Sequence, residues 1–257
     1  IALLPAFTTF VVIPFGPEIA VAGRTVRLIV ADADAGVLLF LAVSSLSVYS
    51  LVMAGWASNN KFSLIGSIRA SAQLISYELA LTLSVLAVLL PVESFRLGDV
   101  VAYQRAHVWN VLPQILGFLV FLVAAFAETN RLPFDMPEAE SELIAGYHTE
   151  YGSMRFALFF MAEYTNMAAL SALGVTLYFG GWSLPGITYP PTLLGGLLGL
   201  VTLVAKIAVC MVVFVWVRWT FPRFRYDQLM RLGWKVLLPL AVLNLIVVAA
   251  LTVAGWL

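Results

Sequence analysis

Six apolar stretches set what this chain can fold into: roughly residues 36–56, 70–91, 109–128, 155–180, 193–219 and 235–257. A bilayer's hydrocarbon core is about 30 Å thick, and a helix needs about 20 mostly apolar residues to cross it. Inside lipid every backbone N–H and C=O must be paired within the segment, which makes helices the economical solution. Residues 1–15 read as the tail of a further span, ended by Pro14 and Pro17. The expected fold is all-α: a polytopic integral membrane protein with six complete transmembrane helices plus a truncated N-terminal one. Residues 1–257 are expected to form a single transmembrane domain. The start at Ile1, without methionine and inside an apolar run, leads us to expect missing residues before it.

Composition excludes the soluble classes. Apolar residues make up 62% of the chain, charged residues 11%, and mean hydropathy is +0.98. A soluble domain carries about 25% charged residues. Net charge is zero, so nothing points to nucleic acid. The lone Cys210 rules out a disulfide framework and a cysteine-held iron–sulfur cluster within the chain. His107 and His148, both near expected helix ends, argue against haem held between transmembrane histidines. No metal, haem or iron–sulfur cluster is therefore expected, and any redox chemistry belongs to a diffusible molecule or a partner.

The basic residues orient the spans. One side carries nine: Lys61, Arg69, Arg131, Arg155, Arg218, Arg223, Arg225, Arg231 and Lys235. The other carries four: Arg24, Arg27, Arg96 and Arg105. By the positive-inside rule the richer side is expected to face the cytoplasm, or the matrix in a mitochondrion. On that side lies a long loop, about 128–154, holding Glu128, Asp135, Glu138, Glu140, Glu142 and Glu150. Asp135 and Glu138 fit a capping box with Pro137 in the first turn, but that does not account for Glu142. Glu138 and Glu142, four apart, would repel on a shared helix face.

Three ionisable residues fall inside spans. Glu78 lies about 13 Å deeper than Arg69, Glu163 about 12 Å deeper than Arg155, and Lys206 about 18 Å from Arg218 at 1.5 Å per residue. Such groups are costly in lipid and face a protein interior or a water-filled cavity. Either a buried Lys–Glu pair fixes the packing, or the acids form a proton relay running inward from the acidic loop.

Three segments carry a resemblance. Gly55 to Leu81 reads GWASNNKFSLIGSIRASAQLISYELAL, Ala127 to Tyr151 reads AETNRLPFDMPEAESELIAGYHTEY, and Phe221 to Leu240 reads FPRFRYDQLMRLGWKVLLPL. Over essentially its whole length the chain resembles the H-type membrane subunit of bacterial NADH-quinone oxidoreductase, respiratory complex I, and its mitochondrial counterpart, NADH dehydrogenase subunit 1. The match begins at the second of the family's eight core helices. The resemblance implies a non-redox subunit of a proton-pumping enzyme that takes a quinone as substrate. Its partners would be the quinone-site and terminal iron–sulfur subunits of the peripheral arm, small membrane subunits and antiporter-like subunits, within a lipid bilayer. Carried over, Glu78, Glu128 and Glu163 resemble an intramembrane proton path, and Asp135, Glu138, Glu140 and Glu142 an acidic loop beneath the quinone chamber. Arg131 and Phe134 would lie near that chamber, and Lys206 joins the path from its depth alone. The implied location is the bacterial cell (inner) membrane, in preference to the mitochondrial inner membrane. Competing readings are the equivalent subunit of a membrane-bound hydrogenase, a proton-coupled secondary transporter, whose internal repeats are not found, and a passive anchor.

Overall fold

The computed structural model describes residues 2–21, 24–135, 146–148, 150–187 and 189–255. Among the described residues, five helical stretches are long and apolar enough to cross a membrane: Gly36–Ala57, Lys61–Leu89, Ser153–Tyr178, Leu193–Thr220 and Tyr226–Val253. The first comprises α2 (Gly36–Ser45) and α3 (Ser47–Ala57), which follow the short α1 (Leu3–Thr8). Between α1 and α2 a small antiparallel hairpin pairs Ile19–Val21 with Arg24–Val26. The polytopic helical class expected from the apolar stretches holds.

The central element is α4, Lys61–Leu89. It starts nine residues before the expected span because Asn60 caps it, its side chain accepting from the Phe62 amide at 3.1 Å. It packs against α3, α6 (Ile115–Glu128) and the last helix of the chain. Its buried side is built from small and hydroxyl residues, among them Ser63, Gly66, Ser67, Ala70, Ser76 and Ala80. Residues of this kind let helices approach closely in lipid. The tightest place is Gly55 on α3: a Cβ there would lie 2.1 Å from Ser67 Oγ.

One expected span is shorter than its apolar run. Helix α6 is 14 residues long, about 21 Å, where the sequence suggested 109–128. Pro113 lacks an amide hydrogen and disfavours helix in the residue before it, so residues 109–114 turn instead. Several of their polar groups are met by protein, while the Gln114 side-chain oxygen is buried without a donor among the described residues. Asn110 donates to the Leu177 carbonyl at 3.0 Å, and Gln104 on α5 (Leu97–Ala106) accepts from the Asn110 amide at 3.3 Å. Irregular backbone is tolerated at membrane depth only where protein or water pairs it in this way.

After the acidic loop come α7 (Ser153–Tyr178) and α8 (Leu193–Thr220). Helix α8 is peripheral: 17% of its most apolar window is buried, against 61% for α4. The final stretch joins α9 (Tyr226–Leu232) to α10 (Leu238–Val253) through a five-residue π turn, Gly233–Leu237. Gly233 faces the ring of Tyr77 on α4, and the Tyr77 hydroxyl donates to the Leu229 carbonyl at 2.9 Å.

Candidate functional site: a buried acid cluster at the loop end of the bundle

Three contacts bring the start of α4, the acidic loop and the segment before α9 to one end of the bundle. Ser63 donates to the Tyr147 carbonyl at 3.1 Å, Arg69 stacks on Tyr226 with 5.5 Å to the ring centre, and Arg223 pairs with Asp135 at 3.7 Å. Arg223 also donates to the Asp135 backbone carbonyl. The Phe224 amide donates to the Pro133 carbonyl at 3.2 Å. The beginning of the loop is thereby clamped to the segment that precedes α9.

Inside this end sit the acids. Glu163, eleven residues into α7, presents one oxygen to Tyr147, whose hydroxyl donates at 2.8 Å. Its other oxygen lies 2.9 Å from Arg131 Nη2. That approach is an ion contact without the alignment of a hydrogen bond. Both side chains are shielded, 6% exposed for Arg131 and 17% for Glu163. The guanidinium also lies over Tyr164 at 4.6 Å and Phe160 at 5.2 Å, so α7 supplies its counter-charge and both aromatic faces.

Glu128 ends α6 and is buried, and its Oε2 meets no hydrogen-bond donor among the described residues. Glu78 on α4 accepts from the Ser45 hydroxyl on α2 and lies within electrostatic reach of Glu128. Glu128, Glu163, Tyr147, Asn166 and Ser47 line a cavity of about 50 Å³. One water needs roughly 10–15 Å³ of such space, and these walls supply polar partners for it. Adjoining this cavity is an apolar cleft of about 430 Å³, walled by Met53, Trp56, Tyr151, Leu158 and Phe159 and edged by Arg155. Ser50 and Phe159 belong to both walls.

The structure thus gathers Glu78, Glu128, Glu163 and Arg131. Asp135 is held by Arg223. Phe134 is buried in the core, with its ring against Tyr77 and Phe224 and its carbonyl accepting from Gln73 at 2.9 Å. Glu138, Glu140 and Glu142 lie outside the described residues. Lys206 is not brought to the acids and forms no Lys–Glu pair among the described residues. Its ammonium donates to the carbonyls of Phe179, Gly181 and Ser183 at 2.7, 2.9 and 2.6 Å, just beyond the end of α7. A cation is favoured at the negative end of a helix dipole. Lys206→Met should cost roughly 1.5–3 kcal/mol, the scale of hydrogen bonds to a charged group. The expected result is a lowered thermal midpoint of the detergent-solubilised protein, and an unchanged midpoint would show that the three bonds carry no stability.

Sequence reasoning did not find the Arg131–Glu163 pair or the Tyr147 hydroxyl. Arg131 and Tyr147 stand 32 and 16 positions before Glu163, with most of the acidic loop lying between Arg131 and the other two. An available signal was Arg131 itself, the one base in an otherwise acidic segment.

Known proteins share this sequence over nearly its whole length. The family described as NADH dehydrogenase matches residues 1–249. The H-type subunit of NADH-quinone oxidoreductase from Protochlamydia amoebophila is 51% identical over 252 residues, 98% of this chain and 74% of the relative. An H-type subunit of the same enzyme from Cytophaga hutchinsonii is 48% identical over 257 residues, covering 97% and 74%. That of Deinococcus deserti is 51% identical over 251 residues, covering 97% and 63%.

Proposed function

Because the chain belongs to the NADH dehydrogenase family, alongside the H-type subunits of NADH-quinone oxidoreductase, we propose that it helps form the quinone chamber of such a complex and couples quinone reduction to proton movement through its buried glutamates. The observation that carries this reading is the junction of the two cavities. The apolar cleft suits an isoprenoid tail, and the polar cavity sharing Ser50 and Phe159 with it has Glu128 and Glu163 in its wall. The chain transfers no electrons itself. Reduction of a quinone headgroup to the quinol takes up two electrons and two protons, and the electrons come from a cluster held by another protein of the complex. The local demand for protons acts on the nearest carboxyls, and Glu163, Glu128 and Glu78 are the acids on which that demand is felt. Arg131 keeps a permanent positive charge beside Glu163. A change of protonation there alters the field at Glu128, and Glu128 in turn faces Glu78.

In this reading the acidic loop lies on the cytoplasmic side of a bacterial membrane, supported by the bias of nine basic residues against four. The partners are the peripheral-arm proteins that complete the chamber and the membrane proteins that receive the charge signal.

The test uses the intact complex in liposomes. Glu128→Gln is the cleaner variant, because Glu128 forms no ion pair among the described residues and the amide has the same shape. Glu128→Gln and Glu163→Gln are each expected to cut NADH-driven proton uptake at least about tenfold, a modest share of what a general acid or base contributes. Full uptake at an unchanged proton-to-electron ratio in both would overturn the relay.

A further inference from the structure

Tyr147 is a polar group to which the sequence alone assigns no function. It is 1% exposed, and it belongs to the acidic loop, outside the transmembrane helices. Its backbone is fixed to the start of α4. Ser63 donates to its carbonyl at 3.1 Å, and Ser58, just beyond α3, approaches the same oxygen at 3.5 Å. Its ring packs edge-on against Phe159 of α7 with centroids 5.5 Å apart. Backbone and ring together aim the hydroxyl at Glu163 Oε1, 2.8 Å away. The same ring lines the small polar cavity together with Glu128 and Asn166, and Phe159 behind it continues into the apolar cleft.

Glu163 is thus held from two directions by two parts of one loop. Arg131, at the loop's beginning, contacts Oε2, and Tyr147, near its end, contacts Oε1. Arginine contributes charge at any physiological pH. A phenol contributes a directed donor without charge, so its effect depends on where the loop stands. A shift of the loop end by one or two ångströms would break the 2.8 Å bond, because hydrogen bonds weaken steeply with length and angle. Arg131, gripped by Phe160 and Tyr164 of α7, would stay with the helix.

We propose that Tyr147 is a positioning residue for Glu163, fixing the orientation of its carboxyl and making that orientation depend on the placement of the acidic loop's inner end. This rests on the reading of Glu163 as part of the proton path. Under it, a change in the placement of the loop's inner end reaches Glu163 through the Tyr147 hydrogen bond, with no covalent step.

The test is Tyr147→Phe in the assembled complex, which keeps the ring against Phe159 and removes only the donor. The readouts are NADH–quinone turnover, the quinone KM, proton uptake, and the carboxyl bands in redox-induced infrared difference spectra. Glu163→Gln assigns the Glu163 band. Expected for Tyr147→Phe are turnover and proton uptake lowered roughly tenfold, the scale of a hydrogen bond to a charged group, an unchanged KM, and a displaced Glu163 band. Should Tyr147→Phe assemble poorly, the double variant Ser58→Ala/Ser63→Ala loosens the Tyr147 backbone and keeps the phenol. It must then displace the same band in the same direction, and an unmoved band overturns the proposal. Wild-type behaviour of Tyr147→Phe beside a failing Glu163→Gln refutes the positioning role and leaves the proton path standing. Wild-type behaviour of both variants refutes the path and the proposal together.

Discussion

Replacing Arg131 with alanine is expected to destabilise the protein by about 3–5 kcal/mol, the cost of breaking a buried ion pair by removing one member. Arg131 is 6% exposed and Glu163 17%, so water cannot replace the lost cation well. Tyr147 remains as a donor to one oxygen, which places the loss within that range and not beyond it. The packing of the guanidinium on Tyr164 and Phe160 is lost as well. The measurements are the thermal midpoint in detergent and the amount of chain recovered in assembled complexes. The double variant Arg131→Ala/Glu163→Gln separates charge from packing. With the carboxylate gone, alanine at 131 should cost far less than it does alone, because residues in contact give non-additive effects. A double variant that loses as much as Arg131→Ala and Glu163→Gln summed would show that the 2.9 Å contact carries no coupling energy.

Gly55→Val carries the second large effect. A Cβ at position 55 would sit 2.1 Å from Ser67 Oγ, 2.4 Å from Ser67 Cβ and 2.9 Å from the Ser63 carbonyl oxygen. The first of these could rotate away. The Ser67 Cβ and the Ser63 carbonyl cannot move without shifting α3 away from α4. Overpacking of this kind costs about 1–3 kcal/mol, occasionally more. The separation also disturbs Ser63 and Ser58, which hold the Tyr147 backbone. Loss of assembled complex should therefore exceed what the fold's own destabilisation predicts. Adding Ser67→Gly removes two of the three clashes and should restore part of the assembly. Full assembly of Gly55→Val alone would mean that the helices part at this crossing without penalty.

Much of this was legible in the sequence because lipid imposes a length and a polarity on every spanning segment. The stretches at 36–56, 155–180 and 193–219 agree with Gly36–Ala57, Ser153–Tyr178 and Leu193–Thr220 to within a few residues. Hydropathy alone misjudged α6, since the largely apolar run from 109 looks like helix until Pro113 is weighed. Depth placed Glu78, Glu163 and Lys206 at similar levels but could not say what each one faces. Glu163 faces a loop arginine and a loop tyrosine, Glu78 a serine on α2, and Lys206 the carbonyls after α7. Those pairings depend on how a long loop folds back into the bundle, and neither a periodicity nor a charge count encodes that path. Phe134 shows the same limit: the resemblance implies a place near the quinone chamber, and the packing of its ring between Tyr77 and Phe224 was not legible in the sequence.

The π turn at Gly233–Leu237 bears on how chains of this kind can vary in length. A π turn accommodates one residue more than the α-helical path it replaces, so deleting a single residue there would straighten the turn and leave both flanking helices in phase. The same deletion within α4 would swing everything beyond it by about 100°, turning Glu78 away from Ser45 and from Glu128. Alignments of homologous chains can therefore place a one-residue gap at 233–237 without implying a changed core, whereas a gap inside Lys61–Leu89 would imply a different helix-to-helix seam.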